Sequence, residues 1–297
     1  PPGCPACASD ALQPWSRDGD NPILRCARCG TTSFPRPLAQ SHDYGTYYHY
    51  LKPDAARRQW EMDRRRPGLA PVLAGDLVLD HHHEHAVGGD LDFGAGPGFF
   101  CAFARERGWT VTAIEASPDA VAAGRHFSAI DYVDDLDAVP DQCLSVVTAF
   151  HVLEHVEAPE TLLEAFHGKL QPQGLLVVHV PNAEPLSTYC QYLLRRLRGR
   201  GDERKGSLYF PEHVTGFTLQ GLKECATRAG FEPVRMQQCS LFSRYHWPLD
   251  FREYRLASPS LARAAMNFGK QCTWGLVNQV GEFFGRGDWI VGLFRKR

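Results

Sequence analysis

Four cysteines near the head of the chain have the spacing of metal ligands. Cys4 and Cys7 in CPAC, and Cys26 and Cys29 in CARCG, form two C-x-x-C pairs separated by eighteen residues. That pattern offers four thiolates to one tetrahedral ion such as zinc. Each pair can reach the ion from a tight turn, and Gly30 frees the backbone just past the second pair. Residues 1 to about 37 are rich in Pro, Cys and Gly and show little hydrophobic periodicity, so this segment cannot bury a core of its own. The ion expected there is structural, with every position filled by protein and its binding energy serving folding. Chance pairs or two disulfides are the competing reading. The other six cysteines (Cys101, Cys143, Cys190, Cys225, Cys239, Cys272) mostly sit among apolar neighbours and read as core thiols.

A second set of residues could hold a nucleotide-like ligand. LDFGAGPGFF, Leu91 to Phe100, places Gly94, Gly96 and Gly98 as G-x-G-x-G between a strand pattern and a helix pattern. Such glycines permit a tight turn and close approach of the backbone to a ligand. The third glycine comes one residue too early for the dinucleotide fingerprint, and no Gly-Lys-Ser/Thr follows, which excludes a P-loop. Glu115 closes the next strand in TVTAIEASPDA, where a carboxylate can take both hydroxyls of a ribose.

Histidines and tyrosines supply the remaining chemistry. His151, Glu154 and His155 form H-x-x-E-H, which on a helix would put its two histidines on one face. Holding a divalent metal, acting as a base, and packing or capping at a strand end compete as roles. His213 in FPEHVTGF precedes a late helix and is a candidate to line a substrate pocket. The run His81 to His85 could capture metal or form a solvated loop. Tyr44, Tyr47 and Tyr48 could stack on a ligand as a lid or pack a linker onto the sheet. The basic stretch Arg195 to Lys205 could bind phosphate or stay solvated.

Short apolar strands alternating with helical patterns from about Leu69 to Val180 point to consecutive βαβ units and a parallel sheet. Strands are expected at 90–93, 110–115, 131–133, 144–150 and 175–180, with helices at 99–107, 118–126 and 159–170. Pro172 and Gly174 stop the last of these helices. The stretch 182–210 reads as less regular. Thr218 caps a helix with Leu219, Leu222, Ala226 and Ala229 on its apolar face, and Gly230 stands at its C-cap. A strand at 231–236 and a closing strand in DWIVGLFRKR complete the pattern. The expected fold is α/β, a Rossmann-like, doubly wound, mostly parallel sheet with an antiparallel last strand, plus a small zinc-ribbon-like segment. The expected divisions are 1–40 for the zinc-binding segment, 41–68 for a linker helix or lid, and 69–297 for the α/β domain.

The chain has 297 residues, 32 Lys plus Arg against 34 Asp plus Glu, and a formal net charge of -2. No global positive field would draw it to nucleic acid or anionic lipid. No apolar run approaches the roughly 20 residues that cross a bilayer, and the first residues lack the pattern of a signal peptide. A cytoplasmic location is the default expectation; a homo-oligomer is compatible with the sequence.

Taken with YVDDLDAV, VVTAFHVLEHVEAP, LQPQGLLVVHVPN and EHVTGFTLQGLKECATRAGFEPV, the glycine loop and Glu115 resemble the motifs of class I S-adenosylmethionine-dependent methyltransferases. The subset with an N-terminal zinc-binding segment, associated with sugar, surface-polysaccharide and natural-product pathways, looks most similar. Ser145 stands where the family usually has Asp. The resemblance implies S-adenosylmethionine as cofactor. Gly94, Ala95, Gly96, Gly98 and Phe99 would lie along its methionine and ribose part, and Asp92 would organise the turn. Glu115 and Ala116 would meet the ribose, and Asp134 or Asp135 the adenine. Phe150 and His151 would flank the methyl site, and Tyr44 and Tyr48 would close over the ligand. Methyl transfer from a sulfonium is an in-line displacement, so the protein's task is alignment and, where the acceptor carries a proton, its removal. His151 is the leading base candidate, with His155 and His213 as further catalytic candidates. The expected acceptor is a small molecule methylated at O, N or C. The alternative is an RNA-modifying enzyme in which the zinc segment and basic loop hold RNA, and a third reading is a scaffold that binds the cofactor only structurally.

Overall fold

The computed structural model describes residues 3–35, 89–106, 108–199, 208, 211–240 and 260–297. In chain order the elements are β1 (Leu12–Asp18), β2 (Asn21–Cys26), β3 (Thr32–Ser33), β4 (Gly89–Phe93), α1 (Phe99–Glu106), β5 (Val111–Ile114), α2 (Pro118–Ser128), β6 (Tyr132–Val133), β7 (Leu144–Phe150), α3 (Pro159–Lys169), β8 (Leu170–Pro181), α4 (Leu186–Leu197), β9 (Thr215–Gly216), α5 (Leu219–Arg228), β10 (Phe231–Cys239), α6 (Leu261–Phe283) and β11 (Trp289–Lys296). Seven strands form one sheet in the order β10-β11-β8-β7-β4-β5-β6. The pairs among β4 to β8 are parallel, and β11 runs antiparallel between β8 and β10. Strand β7 is buried along its length except at Phe150, as expected for a central strand covered on both faces. Because β4 joins β5 on one side and β7 on the other, the order reverses there, and their carboxyl ends open the crevice where such sheets bind ligands.

Local chemistry sets the helix starts. Ser117 caps α2 by accepting the Ala120 amide, with Pro118 at the first helical position. Thr218 caps α5, as its sequence indicates, and Gly230 turns the chain after it with φ of +91°. The apolar face of α5 (Leu222, Cys225, Ala226) and all four knuckle cysteines belong to the same buried cluster as Leu91, Val147 and Leu176 of the sheet. No helix among the described residues is long and apolar enough to cross a membrane.

The N-terminal segment folds as a small sheet of its own, β1-β2-β3-β9, whose last strand comes from residues 215–216. Asp18 pairs with Asn21 across a two-residue hairpin loop begun by Gly19, φ +59°.

Three elements depart from expectation. The stretch 182–210 contains the regular helix α4, hidden in the sequence because its outward face carries Tyr189, Leu193, Leu194 and Leu197, all exposed, beside two arginines. Strand β8 begins at Leu170, so Pro172 and Gly174 lie within a longer strand instead of before it. H-x-x-E-H is not one helix face. His151 follows the end of β7 with φ of +59°, and only Leu153–His155 form a 3-10 turn, so the histidines leave the strand end separately. The expected linker helix or lid at 41–68, with Tyr44 and Tyr48, and the His81–His85 run lie outside the described residues, as do residues 200–205 of the basic stretch.

Candidate active site

One cavity of about 880 Å³ opens at the carboxyl ends of β4 and β7. At one end stands the glycine loop. The Gly94 and Ala95 amides both donate to the Ile114 carbonyl, at 2.8 and 3.0 Å, folding the loop over β5. Gly94, Gly96 and Gly98 have φ of +74°, +54° and +75°, a region that suits glycine. Their roles differ. Gly94 faces the cavity, and a Cβ there would lie 2.6 Å from Val152. At Gly98 it would lie 2.7 Å from Ile130 and 3.0 Å from the Tyr132 hydroxyl, so that glycine permits α1 to pack and does not line the cavity.

Glu115 clamps this loop. Its two oxygens accept the Gly96 and Ser117 amides, each at 2.8 Å, and the Tyr132 hydroxyl donates to the Gly96 carbonyl at 2.8 Å. A carboxylate offers about four acceptor positions, so two remain for ligand hydroxyls. Asp134 and Asp135 line the same end. Asp135 spends one oxygen capping the turn after β6, accepting the Asp137 and Ala138 amides, whereas Asp134 stands exposed at the rim.

Asp92 does not reach the cavity. It is buried, accepts the Thr148 hydroxyl at 2.7 Å and contacts the Cys101 thiol at 3.6 Å, tying β4 to β7 and α1. Burial pushes its carboxyl up to about 7 despite these two donors.

At the other end, Phe150 and His151 close β7. A histidine at φ of +59° is strained, a feature that concentrates at functional sites. Its amide donates to the His179 carbonyl at 2.9 Å, and its ring stands edge-on to His179 and Trp289, with centroids 4.8 and 4.5 Å away. His179 stacks on Trp289 at 4.6 Å. Burial drives its pKa well down, so its ring is neutral. Glu154 is 1% exposed, and neither carboxylate oxygen has a hydrogen-bond partner. His151 Nδ1 lies 3.6 Å from Oε1. Burial alone would raise the Glu154 pKa, but the neighbouring His151, His155 and His213 outweigh it and hold the pKa down. His155 Nδ1 meets the Glu212 carbonyl at 2.9 Å. A carbonyl only accepts, so Nδ1 carries hydrogen. The rings of His155 and His213 approach to 4.6 Å. One ligating atom from each of Glu154, His155 and His213 lies within 4.8 Å of the others, a set able to take a divalent cation.

The four knuckle thiols are buried, with Cys4–Cys29 and Cys7–Cys26 sulfurs 3.6 Å apart and all four within 4.8 Å. Zinc with bonds of about 2.3 Å would set tetrahedral sulfurs roughly 3.8 Å apart, so the residues present fit that ion. The bond to Cys4 lowers the Cys29 thiol below the usual thiol range, while the same bond and burial push Cys4 above it.

A family model described as a methyltransferase domain matches residues 86–236, just over half of the chain. The chain belongs to this methyltransferase family. Ubiquinone biosynthesis O-methyltransferase of Xanthomonas euvesicatoria is 33% identical over 161 residues, 50% of this chain and 67% of that protein. The mitochondrial enzyme of the same name from Schizosaccharomyces pombe is 33% identical over 117 residues, 36% of this chain and 40% of that protein. The chain thus spans between two fifths and two thirds of the length of these curated relatives. Phosphoethanolamine N-methyltransferase 2 of Haemonchus contortus, solved with S-adenosyl-L-methionine, aligns with a TM-score of 0.57 at 15% identity. The alignment covers 94% of this chain and 70% of that one, a likeness of fold.

Of the residues singled out in the sequence, Gly94, Glu115, Ala116, Asp134, Asp135, Phe150, His151, His155 and His213 line the cavity. Ala95, Gly96, Gly98 and Phe99 build the loop behind that wall, and Asp92 braces it from the core. Two site residues escaped the sequence reading. Trp289 begins the last strand and His179 lies on β8, and only the β8–β11 pairing sets their rings beside His151. No local pattern marks either residue.

Proposed function

We propose that the protein transfers the methyl group of S-adenosylmethionine to a small-molecule acceptor. The observation that carries this reading is one cavity with two differently equipped ends, the Glu115 and glycine-loop end and the histidine end. Bound S-adenosylmethionine would supply an electrophilic methyl carbon on a sulfonium. Glu115 holds the ribose hydroxyls with its two remaining acceptor positions, and Asp134 faces the adenine at the rim. His151 is placed to take the proton of an acceptor O–H or N–H, so that the acceptor's lone pair would be free for that methyl carbon, the sulfur keeping its bonding electron pair. Trp289 and Phe150 wall the acceptor end and exclude water. The curated relatives are named for an O-methylation in ubiquinone biosynthesis, which supports a small organic acceptor; sugars, nucleotide-sugars and natural-product intermediates fall within the same reading. Zinc in the cysteine quartet would be structural.

Glu115, Asp134, Asp135 and Asp137 line the cavity, and carboxylates there repel a phosphate backbone, which disfavours RNA as acceptor. Methyl-labelled S-adenosylmethionine incubated with the protein and extract tests the proposal. Label is expected in the small-molecule fraction; label confined to RNA would replace this reading with the nucleic-acid one.

A second reading of the histidine end is favoured by the buried Glu154 oxygens, which accept no hydrogen bond. Glu154, His155 and His213 would hold a divalent cation that helps orient an acceptor oxygen.

A further inference from the structure

The cysteine segment packs against α5 and the sheet, pairs Arg25 with Glu184 and Arg28 with Glu224, and is joined by backbone hydrogen bonds to one short strap, Glu212 to Thr218. On its inner side this strap is sewn to the turn that carries Glu154 and His155. The Val214 amide donates to the Glu154 carbonyl at 2.8 Å, and the Glu212 carbonyl holds His155 Nδ1. Between those two bonds sits His213, buried against the cavity. On its outer side the strap is sewn to the cysteine segment. Thr32 pairs with Gly216 and Ser33 with Thr215, making β9 the fourth strand of the small sheet. The Thr218 hydroxyl donates to the carbonyl of Cys29 at 2.5 Å while accepting the Gly221 amide at 3.0 Å. Val214 itself completes a buried cluster with Ile23 and Phe34 of the segment and Leu208.

Resting on the reading of this cavity as a methyl-transfer site, we propose that the metal-stapled cysteine segment is a positioning element of the acceptor end of the pocket. By fixing the backbone at Cys29 and the β3 edge, the filled quartet holds the strap, and the strap holds His213, Glu154 and His155. The cofactor end does not depend on it. Glu115 and the glycine loop are anchored to Ile114, Ser117 and Tyr132, none of which touches the strap in the bonds described. The segment therefore acts on one half of the cavity.

The test compares zinc-loaded wild type, the same protein after chelation, and the variants Thr218→Val and Thr218→Ser. Hydrogen exchange is followed by mass spectrometry, and S-adenosylhomocysteine affinity by calorimetry. Chelation and Thr218→Val should each speed exchange in peptides spanning 153–155 and 211–218 by about tenfold or more. Peptides spanning 89–117 should keep their protection, and S-adenosylhomocysteine its affinity within about twofold. Thr218→Ser keeps both hydroxyl bonds and should restore the wild-type pattern, as should zinc added back. If the 211–218 peptides keep their protection after chelation, the segment is a bystander. If both halves lose protection together, it is a general staple. Either result overturns the proposal. Failure of the zinc-loaded wild type to bind S-adenosylhomocysteine is a separate result that removes the methyl-transfer reading and leaves the exchange comparison standing.

Discussion

Glu115 accepts the Gly96 amide at 2.8 Å, so the acid placed to hold a ribose also holds the loop that must lie against the ligand. Its other oxygen accepts the Ser117 amide. Replacing a charged acceptor of two amides forfeits about 1.5–3 kcal/mol per bond. Glu115→Gln presents an NH2 to one of those amides, and should weaken S-adenosylhomocysteine binding by at least about tenfold. Gly96→Val forces a β-branched residue to φ of +54° and should abolish binding with the far-UV dichroism retained. Undiminished calorimetric affinity in both variants would remove the cofactor from this end of the cavity.

His151 combines a strained backbone with a ring held between aromatic neighbours, so an alanine there would change the φ preference along with the ring. His151→Asn is the cleaner change, because asparagine tolerates the left-handed region. If the ring takes the acceptor proton, turnover should fall by about 10²–10⁴-fold while cofactor KM stays near the wild-type value. Turnover within about twofold of wild type would leave His151 a packing residue.

Asp92 carries a pH signature that reports on the fold. Its ordinary value is 3.8, and burial lifts it to about 7 in the folded chain. A group with a raised folded-state pKa favours folding fully below its unfolded pKa, and that contribution is lost as pH rises through the folded one. Between pH 4 and 7 the wild type should therefore lose stability relative to Asp92→Asn, by about 4 kcal/mol at most. The bond from Thr148 can persist in the variant, and any loss at Cys101 is the same at each pH. Thermal melts of the two proteins from pH 4 to 8 check this. A Tm difference that stays constant over that range would mean that Asp92 ionises as an ordinary carboxyl.

The α/β sheet was legible because its strands are apolar runs set between helices with clear caps and stops, such as Ser117-Pro118 before α2 and Thr218 before α5. The glycine loop and Glu115 were legible because their chemistry depends on local spacing. What stayed hidden depends on distant pairing or on one dihedral. Trp289 and His179 are more than a hundred residues apart and meet only because β11 inserts between β8 and β10. The four-residue spacing of H-x-x-E-H suggested one helical face, yet the positive φ at His151 ends β7 and turns Glu154 inward. Helix α4 was missed because burial of a single face normally discloses a helix, and this one leaves much of its apolar surface exposed.

The Glu154 carboxylate, buried without a hydrogen bond, gives the last prediction. A buried carboxylate without hydrogen bonds is costly unless a cation or donor meets it. With zinc already in the cysteine quartet, the protein should bind one further equivalent of a divalent ion, read with Co²⁺ by calorimetry and by its visible absorption. Imidazole and carboxylate ligands suit such ions, and the four buried thiolates form a separate, closed site. Glu154→Gln keeps the shape of the side chain but removes the charge, so it should lose the second equivalent and retain the first. His213→Ala should weaken the second alone. If zinc-loaded wild type takes up no second ion at millimolar Co²⁺, the histidines balance the Glu154 charge by themselves, and the acceptor end works without a metal.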